Sequence, residues 1–360
     1  MTFFTFARII FLLKQKEVDF VEKPVLKFHE NGKFRVLMVS DFHCGKSFSP
    51  KLKTGLRTLI ENTDPDFVMI GGDQCLNKDS FDEVKAYMTD VVEPILEKKI
   101  PWGAVFGNHD REAGIDLIDE MRAYTEIPYC LASAGPEDIT GVGNYRLPVY
   151  SADGTELKFN LWAMDSNHMM RDYIQKFGLP EDTRFVMPNP LNDGGGDGTP
   201  LFDQVMWYYN ESVNIEKEHG RKIPGIMFMH ISLPEYIIVT RNPEQCGAIG
   251  AKRESNCSTE LNSGLFLAAL QRGDIKGFYF GHDHLIDIQG EYCGITLATD
   301  AALGYNMSAH DDLRGGRIID LFEDGTTETR TVKLMDIMGK DAMRDPDYFE
   351  GGCRYHIRVL

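Results

Sequence analysis

The sequence predicts an α/β fold. Short apolar runs rich in β-branched residues alternate with stretches of helical periodicity, and each of the first three runs stops at a polar cluster before a helix resumes. Length agrees, since 360 residues with 42% hydrophobic content suffice for one large core or two smaller ones. With no internal repeat and no linker in view, the expected organisation is an N-terminal extension over 1–30, a single domain over 31–335 and a C-terminal extension over 336–360 packed on it.

Lys33 to Ser40, KFRVLMVS, reads as a buried strand running directly into Asp41 and His43. Leu52 to Glu61 is helical, and Asp66 to Gly71 is a second apolar strand that stops at Gly72-Asp73. Ser80 to Lys98 is helical, with Asp79 or Ser80 as its cap and Pro94 placed to bend or split it. Pro101 to Phe106 is a third strand, ending at Gly107-Asn108-His109-Asp110, and Asp116 to Arg122 is a short helix. Ligands of open α/β sheets gather beyond the carboxyl ends of the strands, so the pattern places Asp41, Asp73 and Asn108 along one rim.

Character changes after Pro128. Asn144 to Val149 and Leu157 to Asp165 read as strands joined by a hairpin at Asp153-Gly154. Gly178 to Pro200, which contains DGGGDG, is expected to be a long exposed loop and lacks the spacing and terminal glutamate of a calcium-binding EF-hand. Leu201 to His219 is a helix, Ile223 to His230 a strand leading to a histidine, and Asn242 to Thr259 a polar surface excursion. Ser263 to Gln271 is helical, and Ile275 to Phe280 is the strand that enters Gly281-His282-Asp283-His284. Ile295 to Thr299 and Gly316 to Phe322 are further strands, with Thr329 to Leu334 at an edge.

Composition narrows the classes of function. A formal charge of -17, from 55 acidic against 38 basic residues, disfavours a nucleic-acid binder, which needs a positive field. It leaves small anionic substrates open, because bound cations reverse the local sign. The seven cysteines contain no CxxC pair, which disfavours a thiolate zinc site; Cys246 and Cys257 bracket a loop and are either a disulfide, if the protein is exported, or free thiols. Thr2 to Leu13 is apolar but interrupted by Arg8, too short to span a membrane and without the features of a cleaved signal, so compartment stays open. The sequons at Asn256 and Asn306 are short patterns that chance often produces.

Asp41, His43, Asp73, Asn108, His230, His282 and His284 each follow an apolar run, and together they offer carboxylate, imidazole and amide donors for two metal ions. A two-metal hydrolase needs one carboxylate shared by the ions, for which Asp73 is the best candidate. Asp41, His43 and one distal histidine would serve one ion, and Asn108, His230 and the other distal histidine the second. Such ions lower the pKa of a bound water and clamp the attacking and leaving oxygens of a phosphate. His109 is the candidate to protonate the leaving oxygen, with Asp110 as the carboxylate that orients it. Arg111 is either a contact for substrate charge or a surface arginine, and His168, Tyr305 and Asn306 are candidates for the substrate mouth.

Taken in order, Asp41-Phe42-His43, Gly72-Asp73, Gly107-Asn108-His109-Asp110, His230 and Gly281-His282-Asp283-His284 resemble the motif series of the calcineurin-like metallophosphoesterase superfamily. The individual pieces are weak signals; the complete ordered set, spread from Lys33 to Phe322, is specific. The resemblance implies a four-layer αββα sandwich, and it implies that His284 joins Asp41 and His43 while His282 joins Asn108 and His230. Gly141 to Tyr145, His230 to Tyr236, Asn262 to Gly264 and Arg314 to Arg317 resemble the branch related to purple acid phosphatases. That branch carries a metal-binding tyrosine three residues after the bridging aspartate, where this chain has Leu76. An iron-tyrosinate centre is therefore not expected; Mn, Fe or Zn in some combination is.

The expected activity is phosphomonoester hydrolysis of a small phosphorylated substrate by a metal-activated hydroxide. A phosphodiesterase acting on a cyclic nucleotide or another small diester is the alternative within enzymes. A catalytically silent binding protein of the same fold is the alternative of another class, which typically betrays itself by a lost ligand; none is lost here.

Overall fold

The computed structural model describes residues 23–45, 47–75, 77–183, 196–258, 261–305 and 309–339. The apolar N-terminal stretch, Leu76, Asn306 and the C-terminal extension beyond 339 lie outside the described residues, as does most of the Gly-rich run.

Two β-sheets carry the architecture. In the smaller, β2 (Lys33–Val39), β3 (Phe67–Ile70) and β4 (Trp102–Ala104) run parallel, and β11 (Gly315–Phe322) and β12 (Thr327–Lys333) extend it antiparallel in the order β12-β11-β2-β3-β4. The larger sheet has the order β1-β5-β6-β7-β8-β10-β9, from β1 (Leu26–Lys27), β5 (Tyr145–Tyr150), β6 (Leu157–Ala163), β7 (Gly225–Phe228), β8 (Ile275–Phe280), β9 (Gln289–Tyr292) and β10 (Ile295–Thr299). Here β6, β7, β8 and β10 are mutually parallel. Parallel sheets need cover on both faces. The principal core accordingly joins Val36, Leu37 and Ile70 of one sheet to Phe159, Phe228 and Tyr279 of the other. A second core covers the outer face of the larger sheet. Helices flank both sheets, giving the αββα arrangement that the resemblance implied.

Local chemistry sets the helix limits. Helix α1 (Pro50–Thr63) starts at Ser49, whose hydroxyl accepts the N–H of Lys51, with proline in its first turn. The predicted helix from Ser80 is split at Val92 into α2 (Phe81–Val91) and α3 (Glu93–Glu97), with Pro94 in the first turn of the second. Beyond α4 (Leu117–Thr125) and α5 (Phe202–His219) comes α6 (Pro234–Arg241), which the periodicity does not reveal: in eight residues only Tyr236 and Val239 are buried. β1 and β9 escape for a similar reason, since each buries a single residue.

Two expectations need correction. Residues 196–200, the end of the supposed exposed loop, are buried. Met170 N–H donates to the carbonyl of Gly196 (2.7 Å) and Gly198 N–H to that of His168 (2.9 Å), so the backbone is paired inward despite its polar composition. Cys246 is a buried free thiol, hence not bonded to Cys257. Asn256 is buried too, its amide donating to Asp283 (3.2 Å), so the folded chain leaves no room for a glycan there.

Glu120 on α4 is a buried carboxyl that accepts the Tyr124 hydroxyl at 2.6 Å on one oxygen. Burial, then Asp110, pushes it well above the ordinary glutamate value of 4.5. A raised folded value means that its contribution to stability is full below 4.5 and is lost as pH rises through the folded value. Glu120→Gln keeps the acceptor and removes the dependence. Its melting temperature relative to wild type should therefore climb as pH rises above 4.5; a constant difference would contradict this reading.

Candidate metal centre

Every predicted ligand stands just beyond the carboxyl end of a parallel strand. Asp41 and His43 follow β2, Asp73 follows β3, Asn108 follows β4, His230 follows β7, and His282 and His284 follow β8. The two sheets present these ends to one another, so residues far apart in sequence meet. Ligand atoms of Asp41, His43, Asp73 and His284 lie within 4.8 Å of one another, and so do those of Asp73, His230 and His282. Asp73 belongs to both groups: its Oδ2 is 3.2 Å from His43 Nε2 and 3.1 Å from His230 Nε2. Asp41 Oδ1 is 3.6 Å from His43 Nε2 and 3.4 Å from His284 Nε2.

Tight turns hold these side chains. Asp41, His43, Asp73 and His282 have φ of 57°, 44°, 56° and 70°, in the left-handed region that costs non-glycine residues about 1–3 kcal/mol each. The strained turns are tied to each other. Asp41 N–H donates to Gly72 O (3.0 Å), His43 N–H to Asp73 O (2.8 Å), and His282 N–H to Asp41 Oδ2 (3.1 Å). The motif glycines are required by contact. A Cβ on Gly72 would meet the His230 ring, one on Gly107 would meet Asp73, and one on Gly281 would meet Ser40 and Asp41.

Asp110 is the main correction to the predicted site. Its buried carboxylate accepts N–H groups from Asp73 (2.9 Å), Gln74 (2.7 Å), Cys75 (3.1 Å) and Gly107 (2.7 Å), stitching the turn after β3 to the turn after β4. It faces backbone, not the His109 ring. Glu112 is the carboxylate that meets His109, with Oε1 2.7 Å from Nδ1. The i,i+3 spacing across a short 3-10 turn (Asp110–Glu112) brings Glu112 round to the histidine's side. That spacing was the available signal for it. His109 is 41% exposed and its ring centroid lies 5.0 Å from that of His43, beside the first ligand group and open to solvent.

Arg111 is pinned to buried Asp165, Nη2 to Oδ2 at 3.1 Å, and Asp165 also accepts N–H groups from Val142 and Asn167. His168 pairs with Asp172 at 2.6 Å, and Tyr305 lies under the Arg314 guanidinium, 4.0 Å from it. Asp197, which the sequence reading passed over, stands 3.8 Å from His282.

The electrostatics are those of anions crowded with imidazoles. Burial works to raise the Asp41 and Asp73 carboxyls, but His230 and the other histidines overcome it and both end below the ordinary carboxylate range. Burial opposes charge on His43 and His230, yet the two aspartates raise them to about 10 and about 9. Burial and neighbouring His230 lower His282 to about 3. Protons and metal ions compete for such donors. The donor set fits metal ions on a second count: Asp41 Oδ1, Asp73 Oδ2, Asn108 Oδ1 and His230 Nε2 are buried without a hydrogen bond. Buried polar atoms are almost always satisfied, and four such atoms at four strand ends point to cations as their partners.

Comparison with known proteins agrees with the geometry. The family described as calcineurin-like phosphoesterase matches residues 34–285. The chain is 29% identical over 313 residues to "Probable inactive purple acid phosphatase 14" of Arabidopsis thaliana, covering 78% of this chain and 73% of that one. It is 26% identical over 292 residues to "Phosphatase DCR2" of Saccharomyces cerevisiae, covering 73% of this chain and 45% of that one. Among solved structures, a dimetal phosphatase from Danio rerio aligns with a TM-score of 0.49 at 12% identity, covering 83% of this chain and 98% of that one.

Proposed function

Because the chain belongs to the calcineurin-like phosphoesterase family, we propose that it hydrolyses small phosphomonoesters, with Asp41, His43, Asp73 and His284 holding one divalent ion and Asp73, Asn108, His230 and His282 the second. The chain is a metal-dependent hydrolase of that type, with two clustered ligand groups. The sharing of Asp73 between those groups is the observation that carries the binuclear reading.

Ions at these positions would supply an ionised water near neutral pH and positive charge facing the phosphoryl oxygens. The chain's own residues do the rest. Asp41 and Asp73 offset two of the four positive charges that two divalent ions bring, leaving a net attraction for a phosphate dianion. His109 protonates the leaving oxygen. Glu112 accepts from Nδ1 and so leaves Nε2 as the nitrogen that serves substrate. Asp110 fixes the spacing of the two turns on which Asp73 and His109 stand. Arg111 is already committed to Asp165. Leu76 supplies no phenolate, so Mn, Zn or Fe without a tyrosinate partner is the expected pair.

Comparing turnover of an aryl phosphate with that of a bis-aryl phosphodiester tests the substrate class. We expect the monoester to have the higher kcat/KM by at least an order of magnitude, since only it presents a dianion to the site. A preference for the diester would replace this reading with the phosphodiesterase one. The word "inactive" in the plant relative's name keeps a silent binding role in view. The presence of all seven ligands weighs against it, and absence of turnover on both substrates after metal loading would establish it.

Among the described residues no helix is long and apolar enough to cross a membrane. The acidic balance of -17 supports a small anionic substrate over a nucleic acid.

A further inference from the structure

We propose that Asp197 is a positioning residue for the second metal position, the hydrogen-bond acceptor that fixes the tautomer and orientation of His282. The inference rests on the binuclear reading above. A metal-binding imidazole is neutral, with one nitrogen giving its lone pair to the ion and the other carrying a proton. When that proton is buried it needs an acceptor, commonly a carboxylate or a backbone carbonyl. His230 already shows the arrangement, its Nδ1 lying 2.8 Å from the carbonyl of Gly71 while Nε2 faces Asp73.

Among the described residues no carbonyl serves His282 in this way. Its Nε2 is buried without a hydrogen bond, and the acceptor facing it is Asp197 Oδ1 at 3.8 Å. Asp197 is itself only 6% exposed, so its carboxylate is placed, not displayed. The placement is built by the backbone. Residues 196–198 pair antiparallel with 168–170, and the Asn167 amide donates to Thr199 O at 2.8 Å. Gly198 is required there, since a Cβ would lie 2.7 Å from the Asn167 backbone. The segment that follows β6 therefore brings Asp197 to the Nε2 edge of His282. A shortening of 3.8 Å to hydrogen-bond length leaves Nδ1 to the ion. Such a partner also raises the basicity of the imidazole toward the ion.

Asp197 is absent from the set of seven ligands, and it lies in the Gly-rich run whose composition signals a loop. The test is metal affinity. Full-length wild type, Asp197→Asn, Asp197→Ala and Asp197→Glu are stripped with chelator and titrated with Mn²⁺ or Zn²⁺ by calorimetry, with bound metal counted after dialysis. The expected result is a first site unchanged within about twofold and a second site weakened about 10–100-fold in Asp197→Ala. The asparagine variant, which keeps an oxygen acceptor without its charge, should fall between alanine and wild type, and glutamate should recover part of the loss. Circular dichroism and the melting temperature of the stripped proteins show whether each variant folds, and the near-isosteric asparagine variant carries the test where alanine does not. A second ion held equally by all folded variants overturns this proposal alone. Wild type that takes up no second ion overturns it together with the binuclear reading.

Discussion

Replacing Asp73 with asparagine is expected to lower kcat/KM on an aryl phosphate on the order of 10³-fold, at the upper end of what one electrostatic group contributes. The side chain belongs to both ligand groups, with Oδ2 within 3.2 Å of imidazole nitrogens from the turns after β2 and β7. Asparagine preserves shape but removes the one negative charge that two ions would share, and puts a donor NH₂ among atoms that must accept. Bound metal should fall from two ions toward one or none. The loss should not be one of folding, because the turn is held through its backbone, with Asp73 N–H on Asp110 and the Asp73 carbonyl accepting from His43. Metal analysis and the melting curve of the stripped protein separate the two effects. Activity within tenfold of wild type would contradict the shared role.

His109→Ala should behave differently. Proton transfer by a positioned side chain contributes about 10²–10⁴-fold, and most when the leaving group is poor. An alkyl phosphate should therefore lose more activity than nitrophenyl phosphate, whose leaving oxygen needs little help. Metal content should stay at the wild-type level, since His109 is half-exposed and outside both ligand groups. Glu112→Gln should shift turnover in the same direction by less, because it disturbs the ring's orientation without removing it. Loss of metal in step with activity would assign His109 a ligand's part instead.

The legibility of this site in the sequence follows from how each residue is placed. Asp41, Asp73 and His230 could be read because each ends a run of buried β-strand residues, a pattern that parallel sheets impose. Which distal histidine joins which group could not be read from spacing, because it depends on how two sheets face each other; the motif resemblance supplied it. Asp110 beside His109 in the chain is not its partner, because adjacency in sequence is not adjacency in space. In the turn after β4 it points back to the backbone of the β3 turn, while Glu112, three residues on from His109, returns to the ring. Asp197 escapes the sequence for another reason. Glycine and asparagine content predicts exposure on average, yet a glycine is also what allows a backbone to approach another closely, as Gly198 does against Asn167. The helix at Pro234–Arg241 was invisible because its buried face amounts to two side chains.

Counting the metal bound to the purified chain, before and after chelation and alongside turnover of an aryl phosphate, tests the central claim most directly. Two ions per chain, activity lost on chelation and regained with Mn²⁺ or another divalent ion, is the predicted result. A chain that binds no metal and shows no turnover after reconstitution would contradict it.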